Sequence, residues 1–133
     1  MSHRKISAAL SSQLKTLPSL PPVAWENAPF APVEGTLYLR ESYMPANTIA
    51  VGIETTSNSN FAGLYQVSVM AELDDYKLEA QTMADSIAAH FARGTVMIYE
   101  GQSVRVETVS IAPAIIGGGW YHVPITIDWR SFA

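Results

Sequence analysis

The sequence contains no cysteine among its 133 residues. It therefore offers no disulfide framework, no thiolate nucleophile and no cysteine-ligated zinc site. Such a composition suits a reducing compartment, and the fold must be stabilised by packing alone.

Basic residues are also few, because 8 Lys and Arg stand against 12 Asp and Glu and give a net charge of -4. A chain without a basic excess is poorly suited to grip nucleic acid or an anionic lipid surface. Charged residues make up only 15% of the chain and hydrophobic residues 48%, which excludes disorder for most of its length. We predict a single domain over residues 1–133.

Long hydrophobic runs are missing as well. No stretch of 18 apolar residues occurs, so no helix is expected to span a bilayer. The run I-S-A-A-L at residues 6–10 is too short and too polar for the apolar region of a signal peptide. We therefore expect a soluble protein that is made in the cytoplasm and has no membrane partner.

Motifs that carry chemistry are not found. There is no G-x-S-x-G elbow, and His3, His90 and His122 do not have the spacing of a metal site. The glycines at 117–119 precede a predicted strand, whereas a phosphate cradle needs a helix after it. We expect no catalytic residue, no metal and no cofactor, and hence no enzyme.

Two helices are predicted from apolar residues at helical spacing. The first covers residues 4–17 and ends before a proline-rich segment. The second covers residues 76–91, with the aspartate pair at 74 and 75 as its N-cap rather than a metal site. Gly94 supplies the left-handed residue that ends this helix.

Alternating apolar and polar residues predict strands over residues 23–25, 36–44, 49–53, 61–71, 96–99, 104–111 and 120–129. Pro124 cannot donate a ladder hydrogen bond, so it predicts an edge position or a bulge in the last strand. The order of elements indicates an α+β fold, with a mainly antiparallel sheet and two helices packed on one face.

Three stretches resemble a known family. They are residues 23–32, with V-A-W-E-N followed by Pro29, Phe30 and Pro32; residues 63–69, G-L-Y-Q-V-S-V; and residues 118–130, which hold G-G-W-Y-H-V-P-I and then Trp129 and Arg130. Together they resemble the tail terminator-like proteins of long-tailed bacteriophages and prophages, which include the lambda-type minor tail protein. The likeness covers almost the whole chain.

The resemblance implies a structural protein that caps the growing tail tube, ends its polymerisation and forms the surface for head joining. By similarity to the lambda-type terminator, we expect a homohexameric ring with a central channel through which DNA passes without specific binding. The implied partners are further copies of the chain, the tail tube protein and the head–tail connector protein. The implied locations are the host bacterial cytoplasm during assembly and then the head-proximal end of the virion tail.

A ring requires heterologous contacts, in which one patch meets a different patch on the next subunit. We expect these contacts in the loops at residues 27–35, 54–60 and 114–119. The charged residues Arg40, Glu41, Arg105 and Glu107 either pair across subunits or form a solvated sheet face. The candidate interface residues are Trp25, Asn27, Phe30, Arg40, Ser57, Asn58, Asn60, Arg105, Gly118 and Trp120.

Two alternatives remain open. One is another head-to-tail joining or minor tail protein, which would share the fold but would not control tail length. The other is a small-molecule binding domain, which would need an open pocket between helices and sheet. The residues predicted to fill that space are Tyr65, Val67, Met83, Ile87, Phe91 and Ile125.

Overall fold

A computed structural model describes residues 3–18, 20–26, 30–31, 37–45, 49–50, 59–72, 77–117 and 119–132. Its elements are α1 (His3–Lys15), β1 (Val23–Ala24), β2 (Tyr38–Pro45), β3 (Ile49–Ala50), β4 (Ser59–Glu72), α2 (Lys77–His90), β5 (Val96–Tyr99), β6 (Gln102–Ile111), β7 (Ile115–Gly117) and β8 (Trp120–Phe132).

The strands form one sheet in the order β1-β2-β4-β8-β6-β5, with β3 paired to β4 and β7 paired to β8. β1 runs parallel to β2, and the other pairs are antiparallel. The sheet is therefore mixed, although antiparallel pairing predominates. The predicted α+β class agrees with this architecture.

The long strands β4 and β8 form the centre of the sheet. Their register pairs Val67 with Ile125 and Tyr65 with Ile127, so residues at odd positions in both strands share a face. These four side chains are fully buried. The predicted alternation along both strands is confirmed.

Both helices pack on this face. Ile6, Leu10 and Leu14 of α1 are fully buried at helical spacing, and Ile87 of α2 lies in the same hydrophobic cluster as the sheet residues. Gly94 follows α2 with φ +88°, which confirms its predicted left-handed conformation. The predicted caps at residues 74 and 75 lie outside the described residues.

A reciprocal pair of hydrogen bonds joins the C-terminal turns of the two helices. His90 Nε2 donates to the carbonyl oxygen of Gln13 at 2.7 Å, and Gln13 Nε2 donates to the carbonyl oxygen of His90 at 3.0 Å. The last carbonyls of a helix have no partner within the helix. Each helix therefore satisfies an end carbonyl of the other.

The prediction of an edge position for Pro124 is wrong, but the predicted irregularity is found opposite it. Between the pairs Ile111–Ile125 and Ile115–His122, the three residues 112–114 lie opposite the two residues 123–124. β8 lies between β4 and β6, and Pro124 pairs in register with Ser68. The Pro124 carbonyl accepts from Ala112 N at 2.9 Å, just beyond the end of β6. Since the N and C=O of a strand residue point to the same side, the missing donor faces the connection between β6 and β7, where no strand needs it.

One predicted loop is also shorter than expected. Ser59 and Asn60 belong to β4, where Asn60 pairs with Ile49 and with Phe132. The rest of the predicted loop over residues 54–60 lies outside the described residues, as does the predicted strand beyond Ile49–Ala50.

Candidate assembly surfaces

The sheet face opposite the helices carries residues at even positions of β4 and β8. Arg40, Ser68 and Pro124 form one row across this face, and Ala62, Arg130 and Arg105 form another. We call this side the outer face. All three arginines in these rows are exposed, and the same face also carries Glu72 and Asp128 at even positions of β4 and β8.

An aromatic cluster covers one end of the outer face. Phe30 packs on Tyr38 with 4.8 Å between ring centroids, and Trp120 meets the same tyrosine edge-on at 5.2 Å. Tyr38 is only 8% exposed. Two predicted interface residues, Phe30 and Trp120, thus lie together, and both are partly buried within the subunit through a tyrosine that sequence analysis did not single out.

Trp25 does not belong to this cluster. Its ring is partly buried against the hydrophobic core, and Lys15 Nζ lies 5.2 Å from the ring centroid. A cation at this distance over an indole is attracted by the ring face. The Trp25 ring therefore has contacts within the subunit that account for its position.

Arg40 lies near His122 on the outer face. Burial, and secondarily the positive charge of Arg40, lowers the pKa of His122 below its usual value of 6.5. The Nε2 atom of His122 is buried and has no hydrogen-bond partner among the described residues. A neutral imidazole is the form that these surroundings favour.

Arg105 pairs within its own strand, because its guanidinium lies 3.1 Å from the Glu107 carboxylate. Its register partner on β8 is a second arginine, Arg130. Like charges directly opposite each other on neighbouring strands repel. The two arginines line a cleft of about 280 Å³ together with Val96 and Ser103.

Glu41 is the clearest departure from the expected charge pattern. Both expectations, pairing across subunits and a solvated face, are wrong for this residue, because it is only 7% exposed. Its carboxylate accepts from Ser11 Oγ at 2.5 Å, from the hydroxyl of Tyr65, and from Glu26 N at 3.3 Å. These donors compensate the burial of the charge.

Exposed apolar side chains mark a surface that sequence analysis missed. Among the described side chains, the large apolar ones that are exposed on β5, at the end of β6 and on β7 are Val96 (53%), Ile98 (72%), Ile111 (43%), Ile115 (54%) and Ile116 (66%). Met44 and Leu64, both 39% exposed, are register partners on the outer face. Alternation assigned these residues to strands, except Ile115 and Ile116, which fell in the loop predicted over residues 114–119 and lie in β7 instead. It could not show which faces are left uncovered.

The remaining candidates divide into two groups. Asn27, Ser57, Asn58 and Gly118 lie outside the described residues. The backbone of Asn60 lies in the sheet, far along β4 from Ser68 in the row of Arg40. Among the candidates that the structure describes, it therefore brings Phe30 and Trp120 together through Tyr38.

Within the described residues, no group of three or more His, Cys, Asp or Glu is arranged to hold a metal ion. None of the helices in the described part of the chain is long and apolar enough to cross a membrane. The predicted filling of the space between helices and sheet is found, since Tyr65, Val67, Ile87, Phe91 and Ile125 are fully buried.

A filled core beneath two helices, with apolar side chains exposed along strand edges, is typical of a protein that binds other protein chains. The family model described as phage tail terminator protein matches residues 5–129. The chain belongs to this family, which confirms the resemblance seen in the sequence. It is a structural component of a phage tail.

Two solved structures share the fold. One, of a protein without a functional name, is 30% identical, covers 98% of this chain and 96% of its own, and has a TM-score of 0.79. Another is described as the virion of a native gene transfer agent particle; it is 13% identical, covers 99% of this chain and 100% of its own, and its TM-score of 0.64 shows a shared fold. No curated protein matches the sequence.

Proposed function

We propose that this protein caps the head-proximal end of the tail tube, ends tube polymerisation and forms the surface to which the head joins. The observation that carries the proposal is the match of the tail terminator family over residues 5–129. The protein acts as a homohexameric ring, and its partners are the tail tube protein and the head–tail connector protein. No reaction is involved, and assembly takes place in the cytoplasm of the host bacterium.

The form of the sheet supports a ring. Its two terminal strands, β1 and β5, differ in length and in direction relative to their neighbours. Two unlike edges on one subunit allow a heterologous contact, and heterologous contacts close into rings when the rotation between subunits permits. With a net charge of -4 on each copy, the ring as a whole lets DNA pass without gripping it.

The test is tail length in lysates of the source phage or induced prophage from which this gene has been deleted. We expect overlong or variable headless tubes, measured by electron microscopy, and uniform tails when the gene is restored from a plasmid. A plasmid with an early stop codon in the same gene is the matched control.

Two other results would overturn the proposal. Tails of normal length that fail to join heads would identify another head-to-tail joining protein. Normal tails already joined to heads would remove the chain from both roles.

A further inference from the structure

The sheet has a side along which no strand of the described residues pairs. β5 ends the strand order and pairs with β6 only through residues 102–105. β7 pairs with the start of β8 on the same side as β6, because β4 occupies the other side. Residues 107–111 of β6 lie between the stretches that β5 and β7 cover. On the side of β6 that faces away from β8, no described strand pairs with them. We call this side the β5–β7 edge.

The composition of the β5–β7 edge is unusual for an exposed edge. Edge strands are normally protected from pairing by lysine, proline or inward-pointing charge. Here β5 and β7 have no charged residue, and they carry four of the exposed aliphatic side chains, with Ile98 72% exposed. An uncovered aliphatic edge of this kind is suited to pair with another strand.

The opposite edge of the sheet can supply such a strand. Pro22 O accepts a hydrogen bond from Leu39 N at 2.9 Å. The backbone N–H and C=O groups of successive strand residues point to alternate sides of the strand. Those of Val23 therefore point away from β2. β1 therefore offers backbone groups for pairing on the side that faces away from the sheet.

We propose that the β5–β7 edge of one copy receives the β1 edge of the next copy, so that neighbouring sheets are joined by strand addition. The occupant is a second copy of this chain, and the aliphatic character of the edge distinguishes it from a phosphate-binding surface. This inference rests on the ring of the proposed function and adds the surfaces through which the ring closes.

The experiment is sedimentation velocity on the full chain and three variants. Ile98→Lys introduces a charge into the receiving edge, and Val23→Pro removes the outward donor of β1. Leu64→Lys is the matched control, because Leu64 is exposed on the outer face at 39% and lies on β4, an inner strand that other strands separate from both edges. Circular dichroism and thermal melting first show that each variant is folded.

We expect the wild type and Leu64→Lys to form the same closed oligomer. Ile98→Lys and Val23→Pro should each weaken self-association by about tenfold or more, as for a central interface residue. Mixed together, these two variants should form dimers only, because one intact edge of each kind remains in the pair.

Three results would contradict this inference. A wild-type chain that stays monomeric, or an Ile98→Lys variant that assembles like the wild type, would overturn the inference. If Val23→Pro still assembles alone, the contact is not heterologous at β1, and the inference also fails. The proposed function is judged separately by tail length, so a ring with the expected edges that does not restore tail length would refute the function alone.

Discussion

The indole of Trp129 lies against the backbone of Gly63, its register partner on the neighbouring strand. A Cβ at residue 63 would lie 2.7 Å from Trp129 Cζ2 and 2.7 Å from the carbonyl oxygen of Met44. Tyr43 stacks on the same indole with 5.7 Å between ring centroids and an angle of 10°. The fully buried tryptophan therefore fits because residue 63 has no side chain.

Gly63→Ala is expected to destabilise the protein by about 1–3 kcal/mol, since an added methyl would overpack a rigid site. The free energy of unfolding is measured by urea denaturation. Gly117→Ala is the control, because a Cβ there meets nothing within 4 Å. Equal stability of the two variants would show that the indole moves aside at no cost.

The buried carboxylate of Glu41 gives a second prediction. Tyr65→Phe removes the hydroxyl that donates to it and leaves the ring in place. A hydrogen bond to a charged group contributes about 1.5–3 kcal/mol, so the free energy of unfolding should fall by that amount. Tyr121→Phe, at a partly buried position on the same face, is the control. A Tyr65→Phe variant as stable as the wild type would contradict the role of this bond.

Sequence patterns could predict those parts of the fold that depend on local spacing. Tyr65, Val67 and Ile125 were assigned to buried faces because period-two alternation directly reports strand sidedness. Gly94, after α2, has the predicted left-handed conformation, because a positive φ is a local requirement. Such features need no knowledge of distant partners.

The features that were missed depend on distant partners. Glu41 is buried because Ser11 and Tyr65, 30 and 24 residues away, donate to it. Pro124 can lie in an inner strand because its nitrogen, which has no hydrogen to donate, faces the connection between β6 and β7 rather than a paired strand. Ile98 belongs to a correctly predicted strand, but its exposure depends on which layer covers that face. A single sequence does not contain these relationships in readable form.

His122 supports a prediction about protonation. Burial and the charge of Arg40 lower the pKa of His122 below 6.5. The free energy of unfolding therefore falls as the pH drops below 6.5, because the unfolded chain takes up the proton more readily than the folded one. Arg40→Gln should raise the pKa of His122. The His122 ring signals, followed by NMR across a pH titration, give this value. An unchanged His122 in Arg40→Gln would show that burial alone sets its pKa.

Tyr43 leads to the last prediction, at alkaline pH. Burial, and secondarily the negative charge of Glu26, raises the pKa of Tyr43 from 10.0 to about 12. Its hydroxyl lies 2.9 Å from His3 Nδ1, while Glu26 Oε2 accepts from Tyr43 N at 3.0 Å. Burial also raises the pKa of Tyr65 well above its usual value.

A tyrosine whose pKa is raised in the folded state stabilises that state fully below the unfolded pKa, and this contribution is lost as the pH rises from about 10 through 12. We therefore expect melting temperatures to fall over this range, and two tyrosines to ionise late in a titration followed by tyrosinate absorbance. Glu26→Gln keeps an acceptor for Tyr43 N but removes the charge, so the pKa of Tyr43 should fall only part of the way, because burial is the larger cause. A return of that pKa to 10 in Glu26→Gln would reverse the order of the two causes and make the carboxylate the main reason that Tyr43 stays neutral.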